Sequence, residues 1–214
     1  MESVPVLGLL AFATLFVIVD PVGMLPFFVS LTQGFSMVDR HYVIRRSTLF
    51  ATLLLLAFAV LGQYIFLLLH FTIYSFEIAG GGLLFAIAFN MLFGETPGAK
   101  LTPVDQTELL ARREEVGIVP LGMPLLAGPG AISSVVIYAQ SAQGSLLGSL
   151  TLYAAIILVM VVSYFVLRLG IGILDRVGRV GIVAISRVMG LLLAAIAIQF
   201  VINGVAGAFG ISLP

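Results

Sequence analysis

Six stretches of this chain are apolar over about 18 residues or more, and nearly every charge falls between them. They run from about Val4 to Thr32, Ser47 to Leu69, Phe76 to Phe93, Gly117 to Ala139, Leu147 to Leu167 and Arg187 to Phe209. A bilayer core about 30 Å thick is crossed by a helix of about 20 such residues, so six spanning helices are expected. With 61% hydrophobic and 9% charged residues, against about 25% charged in soluble domains, the chain is not a soluble globular protein. The start, Met1-Glu2-Ser3, lacks a positive n-region and no clear small-residue cleavage site follows, so the first stretch reads as a retained helix.

Charge placement gives an orientation. Arg40, Arg45 and Arg46 lie in the first connection, Lys100, Arg112 and Arg113 in the third, and Arg168, Arg176 and Arg179 in the fifth, with Arg187 at the mouth of the last helix. The N-terminus, the Phe71–Ser75 and Gln140–Leu146 links and the C-terminus hold no Lys or Arg. Lys and Arg accumulate in cytoplasmic loops, which places the odd loops in the cytoplasm and both termini outside it. A re-entrant Phe76–Phe93 run would leave five crossings and spread the basic residues over both faces.

The same inventory excludes function classes. Ten basic residues balance ten acidic ones without a basic tract, so nucleic acid is not an expected partner. There is no cysteine, and the two histidines, His41 and His70, stand alone, which leaves no disulfide and no multi-histidine metal site. No nucleophile elbow, P-loop, dinucleotide fingerprint or zinc motif occurs, and the chain is not expected to be an enzyme. No metal or organic cofactor is expected.

The chain also resembles itself. A shift of 109 residues lays Ala79–Gly94 over Val188–Asn203, with Gly81/Gly190, Leu83/Leu192, Leu84/Leu193, Ala86/Ala195, Ile87/Ile196 and Ala88/Ala197 identical. The amides Asn90 and Gln199 coincide, and a shift of 108 lays Val19–Gly23 over Ala127–Ala131. With three helices per half, the second copy starts from the opposite face of the membrane. The expected fold is therefore all-α and polytopic, six transmembrane helices forming two inverted three-helix repeats in one domain spanning 1–214. Repeat 1 covers about 1–94, a cytoplasmic loop about 95–116, and repeat 2 about 117–214. Inverted repeats are the common plan of secondary transporters, whose substrate site lies at the repeat interface.

Prolines break two of the six helices near the midplane. The first stretch would be about 40 Å long as one helix, with Asp20-Pro21 near its middle. Proline removes a backbone donor and disfavours helix in the residue before it, so a break at Val19–Pro21 follows, with Asp20 as N-cap and Pro21 as first residue of a second half-helix. Pro26, five residues on, is expected to bend that half-helix again. In the fourth stretch Pro120, Pro124 and Pro129 interrupt the run, and Gly128-Pro129-Gly130 lies at its midpoint. A half-helix opening at Pro129 presents the amides of Gly130 and Ala131, followed by the hydroxyls of Ser133 and Ser134, and such an end favours an anion.

A charged residue at the bilayer centre costs about 2.5–3.5 kcal/mol on insertion scales and commonly serves an ion or substrate pathway. Asp20 is accordingly the sharpest candidate, to bind a substrate ammonium or a coupling Na⁺ or H⁺, the alternative being a structural cap. Together with Pro21, Gly23, Gly128, Pro129, Gly130, Ala131 and Ser133 it forms the candidate substrate site for a small zwitterion, carboxylate at the amides and ammonium near Asp20. Asn90 and Gln199 either join the two halves by hydrogen bonds or touch ligand. Gly80, Gly81 and Gly82 read as close-packing positions or as the lining of a narrow passage, Glu77 as an interfacial charge, and Arg187 as an anchor or a partner for Asp175.

Asp20–Phe28 (DPVGMLPFF), Ile78–Gly94 (IAGGGLLFAIAFNMLFG) and Val119–Ser134 (VPLGMPLLAGPGAISS) resemble the MarC family of bacterial and archaeal integral membrane proteins over nearly the whole chain. The resemblance implies a six-helix protein of the cytoplasmic (inner) membrane, distantly similar to the LysE-type exporters. Neutral amino-acid transporters of the SnatA type belong to this family, with glycine and alanine as implied substrates. Asp20, Pro21, Gly23, Pro26, Gly128, Pro129 and Gly130 lie in the matching motifs. The expected function is secondary transport, in the exporting direction or the reverse, of small neutral amino acids by alternating access. A drug or toxic-metabolite effluxer and a non-transporting membrane protein are the alternatives. The bilayer and a small amino acid are the expected partners, and small residues around Gly204 and Gly207 would suit a homo-oligomer or internal packing alike.

Overall fold

The computed structural model describes residues 4–32, 34–70, 72–93, 113–174 and 178–211. Among them the regular elements are all helical: α1 (Val4–Val19), α2 (Met24–Leu31), α3 (Met37–Leu69), α4 (Ile73–Phe93), an irregular helical segment over Gly117–Leu126, α5 (Pro129–Ser141), α6 (Leu146–Leu174) and α7 (Gly178–Phe209). Four helices are long and apolar enough to cross a membrane, and two bent pairs, α1 with α2 and 113–126 with α5, bring the number to six if each is one span. The Phe76–Phe93 run lies inside unbroken α4, which passes that test alone.

Both bends fall where proline chemistry demands them. The first pair bends by 45° and the second by 59°. Val119 (φ −129°, ψ 122°) and Met123 (φ −141°, ψ 130°) are extended, and each precedes a proline that excludes the helical conformation from its predecessor. At the first bend Asp20 sits in the left-handed region, φ 40°. The expectation that Pro21 opens the second half-helix is corrected: Pro21, Val22 and Gly23 form a turn, and regular helix begins at Met24. The left-handed Asp20 displaces the restart by nearly one turn.

The basic first connection is helix rather than loop. Ser36 caps α3, its Oγ accepting from the Asp39 amide at 3.2 Å and donating to Asp39 Oδ2 at 2.6 Å. From there to Gly62 neither glycine nor proline interrupts the chain. The 33-residue helix is therefore about 50 Å long, and its first turns, bearing Arg40, Arg45 and Arg46, extend past a hydrocarbon layer about 30 Å thick. Those turns grip the start of the second half. Arg113 Nη1 meets Asp39 Oδ1 at 2.8 Å with its guanidinium 4.3 Å from the Tyr42 ring centre, Arg46 meets Glu114 at 2.9 Å, and the Tyr42 hydroxyl donates to Glu114 at 3.1 Å. The expected cytoplasmic loop 95–116 is described only from Arg113 onward, its remainder lying outside the described residues. Arg187, expected at the mouth of the last helix, lies inside α7 and is exposed, while Asp175, its expected partner, lies outside the described residues.

Core and surface are both apolar. Leu15, Phe28, Ile44, Leu55, Leu121, Ile132, Leu152 and Ile156 are fully buried, while Leu9, Leu68, Phe93, Leu146 and Leu169 project outward. So much outward apolar surface belongs against lipid. Lipid tails are as apolar as leucine, so helices associate there by close backbone approach rather than by exclusion of water. The broadest contact, α4 against α7, follows that rule. A Cβ on Gly81 would stand 2.7 Å from the Ala197 carbonyl oxygen, and one on Gly190 would stand 3.1 Å from that of Ala88. Gly80 packs equally tightly on Pro129, whereas Gly82 has open space beside it. Two of the three glycines therefore serve the close packing expected of them.

Gly81→Leu and Gly190→Leu are each expected to lower stability by about 1–3 kcal/mol through forced separation of α4 and α7. Gly82→Leu should be neutral, and thermal unfolding of the purified protein in detergent compares all three.

Candidate functional site

The Asp20 turn holds itself together with its own hydrogen bonds. The Asp20 carbonyl accepts from the Met24 amide at 3.0 Å, and its Oδ1 accepts from the Gly23 amide, also at 3.0 Å. These are the two bonds of an N-cap, made one turn ahead of regular α2. The carboxylate lies so closely over Gly23 that a Cβ there would displace it. Asp20 is nonetheless exposed rather than enclosed by protein. Its carboxylate is thus positioned by the backbone and still reachable.

The second break supplies the opposite polarity. Gly128 is extended (φ −75°, ψ 171°), Pro129 occupies the first turn of α5, and Gly128 caps the helix without a side-chain hydrogen bond. The Gly128 carbonyl accepts from the Ile132 amide at 3.0 Å. The amides of Gly130 and Ala131 head this 13-residue helix, where peptide dipoles concentrate positive charge. A Cβ on Gly128 would stand 2.5 Å from the Pro124 carbonyl oxygen, so the tight corner requires glycine.

The two breaks border one cavity of about 260 Å³. Asp20 and Gly23 line it from one side, Gly128, Gly130 and Ala131 from the other, and Leu84 of α4 and Leu193 of α7 from between. Met24, Pro26, Phe27 and Phe200 are among the other lining residues, and Asp20 is the charged side chain of the whole lining. The Phe200 ring stands 3.5 Å from where a Cβ on Gly130 would lie, directly over the head of α5. A carboxylate and a helix end without a side-chain cap thus border one mostly apolar space. It suits a molecule carrying both charges and a small apolar body.

Five of the ten sequence candidates, Asp20, Gly23, Gly128, Gly130 and Ala131, come together in this lining. The others lie elsewhere. Pro21 is in the turn and Pro129 packs against Gly80. Ser133 is buried on α5 with no partner for its Oγ. Asn90 is half-buried on α4, and Gln199 is exposed, donating to Asn203 Oδ1 on its own helix at 2.7 Å rather than joining the two halves. Glu77 is half-buried in the second turn of α4. Sequence reasoning missed Phe27, Phe200, Leu84 and Leu193. The last two stood in the self-match as an identical pair, whereas nothing in the pattern singled out the two phenylalanines.

The profile described as MarC family integral membrane protein matches residues 7–209. The chain belongs to the MarC family. A membrane protein of Pyrococcus abyssi is 38% identical over 197 residues, covering 92% of this chain and 93% of its own. YhcE of Escherichia coli K12 is 35% identical over 198 residues, covering 92% and 91%, and YvbG of Bacillus subtilis is 30% identical over 202 residues, covering 92% and 93%. Each is named simply as a membrane protein. No solved structure matches the chain. Membership in this family and the apolar helices make the chain an integral, multi-pass membrane protein.

Asp20→Asn keeps an acceptor for the Gly23 amide and should leave thermal unfolding nearly unchanged. Asp20→Ala removes the cap and should cost about 0.5–2 kcal/mol. The pair separates the structural task of this side chain from any task of its charge.

Proposed function

We propose that this MarC-family protein is a secondary transporter of small neutral amino acids, working by alternating access between two inverted repeats in the cytoplasmic membrane. The observation that carries the proposal is the pairing of residues around the cavity. Asp20 with Gly128 and Gly23 with Ala131 are separated by 108 residues, Leu84 with Leu193 by 109, and all six line it. A cavity bordered by equivalent positions of two copies lies at the interface between them, where inverted-repeat transporters keep their substrate.

Helix contacts support the same symmetry. Gly81 touches Ala197 while Gly190 touches Ala88, so exchanging the copies exchanges the contacts. Numbering rises along α4 as it falls along α7, which makes the pair antiparallel. A two-fold relating antiparallel spanning helices lies in the membrane plane, the axis of an inverted repeat. Packing elsewhere follows suit: α1 on α6 corresponds to the Gly117–Leu126 segment on α3, and α2 on α7 corresponds to α5 on α4. The irregular 113–126 stretch then pairs with α1, and each bent pair forms one span, giving six.

The cavity supports a substrate class. At about 260 Å³ it lies at the lower edge of the range of about 300–1,000 Å³ usual for ligand pockets, a size that favours a small solute over a drug-sized one. The α5 head would take the carboxylate, Asp20 the ammonium or a coupling Na⁺ or H⁺, and the apolar remainder a small side chain. Neither an enzymatic activity nor a cofactor is part of this reading. The charge bias of the connections favours an orientation with both termini outside the cytoplasm.

Counterflow in proteoliposomes with labelled glycine, alanine and serine tests the proposal. Saturable uptake by the wild type is expected, reduced at least about tenfold by Asp20→Asn, equivalent to about 1.4 kcal/mol of lost binding. Equal uptake by both proteins would confine Asp20 to capping. No uptake of any of the three by folded wild-type protein would overturn the substrate class.

A further inference from the structure

Two features of α5 remain outside that reading. Ser133 is 5% exposed, and its Oγ has no hydrogen-bond partner. Buried hydroxyls in native proteins are almost always satisfied, by protein or by water, so an orphan one marks a place where something else donates or accepts. The second feature is a separate cavity of about 190 Å³ between α3, α5 and α6, beside the 140–146 link that carries no Lys or Arg. Its polar side chains are Gln63, Gln140, Gln143, Tyr64, Tyr153 and Ser149, none of them ionic. Gln143 Nε2 donates to Gln63 Oε1 across it.

One flank of α5 runs from one cavity towards the other. Gly130 borders the central one, Val136 and Gln140 border the outer one, and Ser133 lies between, so that the four positions fall at helical spacings of three, three and four. At Val136 this flank packs closely on α3, where a Cβ on Gly62 would stand 2.5 Å from Val136 Cγ2. Both donors and acceptors line the outer space, since each glutamine amide offers two N–H groups and a carbonyl. Such a lining hydrogen-bonds either end of a zwitterion and holds neither by net charge.

We propose that the Ser133 flank of α5 is a wet passage from the central cavity to the face opposite the basic connections. The glutamine-lined cavity is its vestibule for small uncharged or zwitterionic solutes, and the Val136–Gly62 contact is its constriction. Ser133 is the polar station in the passage, its hydroxyl satisfied by the water or solute moving through. The identity of the solute rests on the transporter reading above, whereas the passage itself can be tested without it.

Because the chain has no cysteine, each introduced thiol is the single reactive one. Ser133→Cys, Gln140→Cys and the lipid-facing Ile137→Cys, 52% exposed at the parent residue, are treated in intact cells with a charged, membrane-impermeant methanethiosulfonate. Unmodified thiol is then counted after denaturation. Gln140→Cys should react fastest, and Ser133→Cys at least about tenfold faster than Ile137→Cys, because thiols in hydrocarbon do not ionise and charged reagents do not reach them. Adding Gly62→Ala should slow Ser133→Cys several-fold and leave Gln140→Cys unchanged. Ser133→Cys as inert as Ile137→Cys would overturn the passage. An unchanged Ser133→Cys rate in the Gly62→Ala background would overturn the constriction. A labelled passage in a protein that fails amino-acid counterflow would leave the passage standing and remove the substrate, so the two proposals fail separately.

Discussion

Backbone hydrogen bonding in an apolar surround governs this protein more than any other constraint. Inside hydrocarbon an unpaired amide or carbonyl has no water to turn to, so a spanning chain stays helical unless something else satisfies the freed groups. Proline forbids that continuity at two places, around Asp20-Pro21 and through Pro120, Pro124 and Pro129. At the first, the Asp20 side chain replaces the missing partner of the Gly23 amide. At the second, the glycine cap has no side chain to offer, and the amides at the head of α5 border the cavity. One break is thus closed by its own carboxylate, whereas the other has no side-chain cap.

Packing converts those two local events into a site. Neither break alone encloses a volume; α4 and α7 bring them together, and the close approach of Gly81 to Ala197 and of Gly190 to Ala88 allows it. The same economy of side chains explains why the seam uses glycine and alanine where a soluble core would use leucine. Hydrophobic exclusion does not drive helices together in lipid, so area of backbone contact and dispersion must do so. Ion pairs play a lesser part: Arg46 with Glu114 and Arg113 with Asp39 are half to one-quarter exposed, and such pairs contribute little stability while fixing which surfaces meet.

Much of the site was legible because its local chemistry is extreme. Asp20-Pro21 and Gly128-Pro129-Gly130 stand out in apolar runs, and five residues named from them line the cavity. Polar character alone misled elsewhere. Gln199 finds its partner one turn along its own helix, and Asn90 lies off the cavity lining, because a helical period decides which way a side chain faces and a lone amide does not announce its face. Element ends were also misplaced, since α3 continues through its arginines from the Ser36 cap. Nothing in a lipid-to-water transition stops a helix when no glycine or proline does.

Apolar length, proline position and the 108–109-residue echo were thus determined by the sequence, because each is a local or periodic property of the chain. They set the all-α membrane class, the two broken helices and the residues at each break. Which faces meet, how closely, and what space remains were decided by tertiary structure. Phe27 and Phe200 join the lining, Ser133 is buried without a partner and Gln63 reaches Gln143 through the approach of helices far apart in sequence. Such contacts depend on crossing geometry and on where small residues allow backbones to close, quantities that no single helix carries in its own sequence.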